Sequence, residues 1–332
     1  MRAMEGSGPG YENLRIVEKA VAEPAPGEVQ VRIRAATLNY RDLLLLQRGN
    51  PGGKMPYVPL SCACGDVTAV GGGVTRARVG DRVMSTFFQN WFSGPIPSQD
   101  SVIALGGPVD GVAREFACFA QDAVVKVPDA LGDLEAATLP CAGLTAWSSL
   151  FVIRATRPGD SVLLLGTGGV SIAGLQLAKA AGATVIITSS SDAKLARARA
   201  LGADHTINYR STPAWGEHAR ALTGGRGVDV VLEVGGVGTL AQSSAALREG
   251  GDVAGIGLLT GTPTWQAANP PAGLHRIRVG NRDQLEDLVR GIAACGIRPV
   301  VDRVFPLEEL GRALKVMSAG AFFGKIAIQI AH

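Results

Sequence analysis

The residues best placed by type and spacing to do chemistry begin at Gly166-Thr167-Gly168-Gly169-Val170-Ser171, between the apolar run SVLLL and a small-residue stretch of helical pattern. A glycine-rich turn joining a strand to a helix lets backbone N–H groups and the positive helix end approach a pyrophosphate. Ser171 stands where such turns usually carry a third glycine, and it is small enough for helix–strand packing to absorb. About 20 residues after the first glycine, an acid would be expected to hold the 2′-hydroxyl of an NAD ribose. The chain offers Ser189, Ser190, Ser191 and Lys194 instead, with Tyr209 at the end of the following strand. Hydroxyls and an ammonium suit a 2′-phosphate that an aspartate would repel, so the pattern points to NADPH ahead of NADH. The one nearby acid, Asp192, reads as a helix N-cap facing backbone N–H groups. Histidine offers no promising acid–base group: His205 begins a strand, His218 and His275 lie in polar surroundings, and His332 is the last residue.

A dinucleotide turn needs a sheet to carry it. From about Asp129 strand and helix alternate, with strands expected at 161–166, 184–189, 205–209, 229–235 and 252–259. The intervening pieces IAGLQLAKAAG, DAKLARARALG, PAWGEHARALTG and TLAQSSAALREG read as helices. The second should turn Leu195, Ala198, Arg199 and Gly202 to one face. This is the rhythm of an α/β fold with a doubly wound parallel sheet. Residues 1–128 read mostly as strands and turns: EVQVRIRAA at 28–36 alternates, and 65–83 holds three Val-rich pieces between glycines, as in a compact β-barrel. Phe87 to Asp110 is less regular and carries Phe88, Trp91 and Phe92. After Asn281 a helix leads to a closing strand, GKIAIQI.

Composition agrees with two domains in 332 residues. Apolar residues at 46% exclude a disordered chain, and 44 glycines without a G-X-Y period exclude collagen. A net charge of +3 without a basic run argues against a nucleic-acid partner. The eighteen uncharged residues between Asp160 and Lys179 approach membrane-spanning length, but Gly166, Gly168 and Gly169 break them into strand, turn and helix, so no membrane association is expected. Five cysteines at low density and no apolar leader suggest reduced thiols and a cytoplasmic setting.

The motifs LNYRD (38–42), VGDRV (79–83), LPCAGLTAW (139–147), GTGGVS (166–171), SSSDAKL (189–195), LGADHTINYR (201–210), EVGGVGTL (233–240) and FGK (323–325) run in one order along essentially the whole chain. In these the sequence resembles the medium-chain dehydrogenase/reductase superfamily, in its zinc-independent quinone oxidoreductase and enoyl-reductase-like branch. The resemblance implies a GroES-like β-barrel catalytic domain at 1–128, a Rossmann NAD(P)-binding domain at 129–281, and a segment 282–332 that returns to the catalytic domain. It also implies an active site in the cleft between domains, and a homodimer.

Zinc-dependent relatives carry Cys, His and Cys ligands with an acid beside the His. On the shared motifs these positions fall at Asn39, Ser61-Cys62 and Cys141. A catalytic zinc needs about three protein ligands and an open position, so no metal and no zinc are expected. Cys62 and Cys141 could face each other as small buried thiols, or as a two-thiolate metal or redox site. Without zinc, negative charge on the acceptor oxygen must meet hydrogen-bond donors. Asn39 and Tyr40 occupy positions that bind nicotinamide and substrate in the family, and Tyr40 is the candidate proton donor. Arg41 and Asp42 read as a structural pair.

The resemblance further places Thr145 near the nicotinamide, and Gly235, Gly236 and Gly238 in a second glycine-rich turn. Gly257-Leu258 and Val279-Gly280 would end the strands beside the nicotinamide, and Phe323, Gly324 and Lys325 would close the cleft. Tyr40, Cys62, Phe88, Trp91 and Cys141 are the expected substrate pocket. The leading expectation is an NADPH-dependent, zinc-independent oxidoreductase passing hydride to a quinone or α,β-unsaturated carbonyl. The alternatives are an alcohol dehydrogenase or ketoreductase of the same fold, in biosynthesis for example, and a non-catalytic NADPH-binding protein.

Overall fold

The computed structural model describes residues 1–50, 53–98, 101–257, 259–260 and 273–331. The chain forms two compact units, Met1–Leu144 with Gly280–His332, and Thr145–Val279.

The first unit opens with an antiparallel pair, β1 (Arg2–Gly6) and β2 (Leu14–Glu18). The alternating segment expected at 28–36 forms β3 (Glu28–Thr37), followed by α1 (Tyr40–Arg48). Then come β4 (Cys62–Val70), β5 (Arg82–Ser85), β6 (Phe116–Ala120), β7 (Val124–Lys126) and the short helix α2 (Asp133–Ala136). Two strands, not three, occupy the Val-rich stretch at 65–83. Its middle is taken up by turns, where Gly71 N–H bonds Glu28 O and Gly80 N–H bonds Val67 O.

The second unit carries β8 (Ser161–Leu164), α4 (Gly169–Ala180), β9 (Thr184–Ser189), α5 (Asp192–Ala200), β10 (His205–Asn208) and α6 (Trp215–Ala221), after a short α3 (Leu144–Trp147) that begins on the last residue of the first unit's opening stretch. It continues with β11 (Val228–Glu233), α7 (Leu240–Ala246), β12 (Leu247–Gly255) and β13 (Leu274–Arg276). All six strands are parallel in the order β10-β9-β8-β11-β12-β13, the doubly wound order with helices returning between neighbours. Val162, Leu163, Leu164, Val185, Ile186, Ile187, Val230, Val231 and Leu232 are fully buried, as expected where both faces of a parallel sheet are covered. The uncharged stretch after Asp160 is therefore a strand and a helix. Among the described residues no helix is long and apolar enough to cross a membrane.

The chain then returns to the first unit through α8 (Arg282–Cys295), β14 (Val301–Pro306), α9 (Leu310–Ser318) and β15 (Lys325–Gln329). β15 pairs antiparallel with β3 and completes the seven-stranded sheet β14-β15-β3-β4-β5-β7, with β6 also on β3. Val31, Ile33, Leu43, Leu46, Val67, Leu310, Leu314, Ile326 and Ile328 share its core.

Several expectations are corrected. Asp129–Leu144 packs with the first unit, because Thr37 Oγ1 donates to Ala137 O at 2.7 Å and Arg82 donates to Leu131 O. The helix expected to run through Leu247–Gly250 stops at Ala246, since Leu247 pairs with Val228 in the sheet. Arg199 is exposed, and only Leu195 and Ala198 of the expected face of α5 are buried. The N-cap of α5 is Ser191, whose hydroxyl accepts from Lys194 N–H at 3.4 Å; Asp192 accepts instead from Asn208 Nδ2 at 2.8 Å.

Candidate active-site residues and the nucleotide turn

In the first unit the ends of three adjacent strands converge. The register sets Thr37 of β3 beside Cys62 of β4 on one side and Ala327 of β15 on the other. Asn39, two residues past Thr37, thus reaches both Cys62 and Lys325. Its backbone leaves the strand in extended conformation and starts α1, with Asp42 Oδ2 accepting the Asn39 N–H at 2.7 Å. Because Asp42 closes the helix end, the Asn39 amide is released for other partners. Its Nδ2 donates to Ser61 Oγ at 3.2 Å and to Cys62 Sγ at 3.1 Å, and its Oδ1 accepts from Lys325 Nζ at 2.7 Å. Lys325 also donates to Leu38 O and is 5% exposed.

Cys141 lies in a π-helical turn, Leu139–Gly143, that packs against β4, whose first residue is Cys62. The two sulfurs titrate as a pair. Burial pushes Cys62 up, but the hydrogen bond from Cys141, the Lys325 charge and the Asn39 amide together bring it down to about 7. Cys141 is pushed well above the ordinary thiol range, first by that hydrogen bond and then by burial and the charge on Cys62. Burial also raises Asp42, despite Arg41 Nη1 lying 3.9 Å from its Oδ1, which makes no hydrogen bond. Arg41 donates to Leu105 O at 2.8 Å, as suits a structural residue.

Tyr40 is 40% exposed at the first position of α1. Phe88 and Trp91, each 8% exposed, form a separate aromatic group: Phe87 meets Phe88 edge-on at 4.8 Å and Phe88 meets Trp91 at 5.9 Å. Arg41 joins α1 to this group by lying 5.0 Å over Phe87. Phe92 packs under Arg282 at 5.5 Å. Phe323 is buried, Gly324 has φ +77°, and Lys325 points at Asn39, so this motif is internal to the first unit.

In the second unit β8 ends in the glycine turn. Gly166 has φ +70°, and a β-carbon on Gly166 or Gly168 would project into open space. That opening is the cradle a pyrophosphate requires, so the turn fits a dinucleotide. Gly166 N–H bonds Thr188 Oγ1 at 3.2 Å, Gly168 caps α4, and Gly169 and Val170 form its first turn. Thr167 is buried, and Ser171 is 1% exposed with its hydroxyl donating to Leu165 O at 2.7 Å. Ser171 therefore serves the helix–strand contact that a third glycine would serve.

At the end of β9, Ser189 is buried and accepts from Ser191 N–H at 3.3 Å, Ser190 is partly exposed, and Tyr209 is 41% exposed. Thr145 is buried in α3, its carbonyl accepting from Ser149 Oγ at 2.8 Å.

The second glycine turn is organised by a residue the sequence analysis did not single out. Glu233, fully buried at the end of β11, accepts from Gly235 N–H at 2.7 Å, Gly236 N–H at 3.0 Å, Thr239 Oγ1 at 2.6 Å and Ser243 Oγ. An acid closing the apolar run Val230–Leu232 was the available signal. Gly238 N–H bonds Thr260 Oγ1 at 2.8 Å. At Gly257 a β-carbon would sit 1.8 Å from Val234 O, so only glycine fits. Gly257 lies past the end of β12, and Val279-Gly280 lies past the end of β13, in loops and not on strands. Val279 has φ +51°, and its carbonyl accepts from Ser148 Oγ at 2.6 Å. Leu258 lies outside the described residues.

Among the described residues no group of three or more His, Cys, Asp or Glu side chains could hold a metal ion. The thiols of Cys62 and Cys141, with one amide, fall short of the usual zinc donor set.

Comparison with known proteins matches residues 25–129 to the alcohol dehydrogenase GroES-like domain and residues 169–283 to the zinc-binding dehydrogenase family. A zinc-type alcohol dehydrogenase-like protein of Schizosaccharomyces pombe is 41% identical, over 97% of this chain and 96% of that protein. The structure of an NAD-dependent alcohol dehydrogenase superposes with a TM-score of 0.89 at 31% identity, covering 100% of both chains. That of a 2-haloacrylate reductase superposes with a TM-score of 0.78 at 30% identity, covering 99% of both.

Proposed function

Since the chain belongs to the medium-chain dehydrogenase/reductase superfamily, and so to the pyridine-nucleotide oxidoreductases, we propose that it is an NADPH-dependent, zinc-independent reductase of quinones or α,β-unsaturated carbonyls. The observation that carries this reading is the donor set in the first unit. Where zinc-dependent relatives ligate metal, this chain has Asn39, Ser61-Cys62 and Cys141, with the Asn39 amide donating to Cys62 Sγ and itself held by Lys325. Acceptors that need no Lewis acid suit such a site: a quinone or an enone spreads the incoming charge over a conjugated system. The likeness to a 2-haloacrylate reductase supports a conjugated acceptor.

When bound, the cofactor supplies a hydride from its nicotinamide. The Gly166–Ser171 turn holds the pyrophosphate, and Ser189, Ser190 and Lys194 face the 2′-phosphate. Asn39 has no amide hydrogen to spare for the acceptor, so it is a positioning residue that fixes the start of α1 and the direction of Tyr40. Tyr40, 40% exposed, is the group that donates a hydrogen bond, or a proton, to the acceptor oxygen.

The test is NADPH oxidation in chelator against an enone, a quinone and an aldehyde. Turnover with the first two and not the third is expected. An alcohol dehydrogenase activity is the second reading, favoured by the names of the fungal relative and the NAD-dependent structure. Turnover of aldehyde alone, abolished by chelator, would establish it against the first.

A further inference from the structure

One buried charge in the first unit has no opposite charge to answer it. Among the described residues Lys325 is the one lysine or arginine that is buried. The partly buried arginines are paired with acids: Arg154 meets Asp229 at 3.1 Å and Asp252 at 2.7 Å, and Arg282 meets Asp122 at 2.6 Å. Lys325 Nζ instead donates to Leu38 O and, at 2.7 Å, to Asn39 Oδ1, and it is ion-paired to no carboxylate among the described residues. Asp42 spends its Oδ2 on Asn39 N–H at 2.7 Å, and the cation beside it is Arg41, 3.9 Å away. A buried ammonium is ordinarily paired, because two oxygen dipoles return only part of the hydration it has lost. The backbone around it is fixed as well. Lys325 N–H bonds Val300 O and Leu38 N–H bonds Ile326 O, each at 3.1 Å.

We propose, on the reductase reading above, that Lys325 is a positioning residue whose uncompensated charge favours negative charge on an acceptor held at Tyr40. A hydride adding to the β-carbon of an enone forms one C–H bond, and the displaced π electrons leave negative charge on the carbonyl oxygen. That charge persists until a proton arrives there; the acceptor gains two electrons and the nicotinamide loses them. The acceptor is neutral before the transfer, so a fixed cation acts on the transition state far more than on binding. Both oxygens that hold the ammonium belong to Leu38 and Asn39, the two residues that precede Tyr40. Strand pairing sets the charge in place before any acceptor arrives, so no reorganisation opposes its effect.

The test uses the full chain with NADPH and whichever of an enone, a quinone or an aldehyde the parent reduces, since each ends with charge on oxygen. Two variants cancel the charge by different routes. Lys325→Gln keeps amide hydrogens for Leu38 O and Asn39 Oδ1 and removes the ammonium. Asn39→Asp keeps the ammonium and sets a carboxylate against it at the place of Oδ1. In each, kcat should fall by about ten-fold or more, while the KM values for NADPH and acceptor stay within about two-fold. Circular dichroism checks that each variant folds, and if one does not, the other decides. A kcat within about two-fold of the parent in a folded variant, or a loss confined to KM, would overturn the role of Lys325 and leave the reductase reading standing. A parent inactive on all three acceptors would overturn both.

Discussion

Replacing Lys325 by Met tests whether the buried cluster is electrostatic or merely packed. Lys325 Nζ reaches Asn39 Oδ1 at 2.7 Å, and the same amide reaches Cys62 Sγ at 3.1 Å, so one planar group separates charge and sulfur. Across roughly 7 Å at an effective dielectric of about 20, a unit charge is worth about 2.4 kcal/mol, or some 1.7 pH units. Cys62 stands at about 7 with Lys325 in place. Removing a positive charge disfavours the thiolate, so the titration must move up, by about one to two units. The substitution keeps the length of the side chain and leaves Leu38 O and Asn39 Oδ1 without their donor, a loss of about 1–3 kcal/mol of stability per group. The assay is thiolate absorbance at 240 nm against pH, with unchanged circular dichroism as the check on folding. A variant that folds and titrates like the parent would refute the electrostatic account. The same pair sets a linkage. Because Cys62 is lowered in the folded chain, its contribution is complete above the unfolded thiol value and is lost as pH falls through about 7. Raised Cys141 acts oppositely: stability declines once pH passes the unfolded thiol value, since only the unfolded chain releases that proton readily.

Gly257→Ala should lower the melting temperature sharply, by the equivalent of roughly 3 kcal/mol or more, because its β-carbon would lie 1.8 Å from Val234 O and backbone must move. Thermal unfolding with a change under about 1 kcal/mol would contradict the packing there. Glu233→Gln removes the charge behind four hydrogen bonds in the second glycine turn and should cost about 2–4 kcal/mol, read by urea unfolding. Lys194→Ala should raise the KM for NADPH by the equivalent of about 1–3 kcal/mol and leave that for NADH nearly unchanged; equal losses would remove the 2′-phosphate assignment. Asp229 is held well below the carboxylate range: burial opposes, but hydrogen bonds from Arg226, Arg248 and Ser161 N–H outweigh it. Its stabilisation is present above the unfolded aspartate value near 4 and is lost as pH falls through the folded one. Asp229→Asn should therefore flatten stability against pH in acid, as measured by urea midpoints.

Local pattern carried the second unit far. Apolar runs cut by glycine located β8, β9, β10 and β11, and the turn at Gly166–Ser171 falls between β8 and α4 as its spacing requires. Such features depend on neighbours in sequence. They failed where a distant pairing competed, as at Leu247, or where two side chains competed for one cap, as at Ser191 and Asp192. The motif at 323–325 was visible, yet its place in the cluster was not. Lys325 meets Asn39 only because β15 lies against β3, and nothing local says which strand a C-terminal segment will join. Equally, two cysteines 79 positions apart come onto neighbouring elements only once β4 and the 139–143 turn pack together. The sequence by itself determined the sheet class, the nucleotide turn and the superfamily, because backbone periodicity and glycine conformations are local. The tertiary structure alone decided which charges and thiols share one buried volume, and burial is what turns an amide, an ammonium and two thiols into a site with altered acidity.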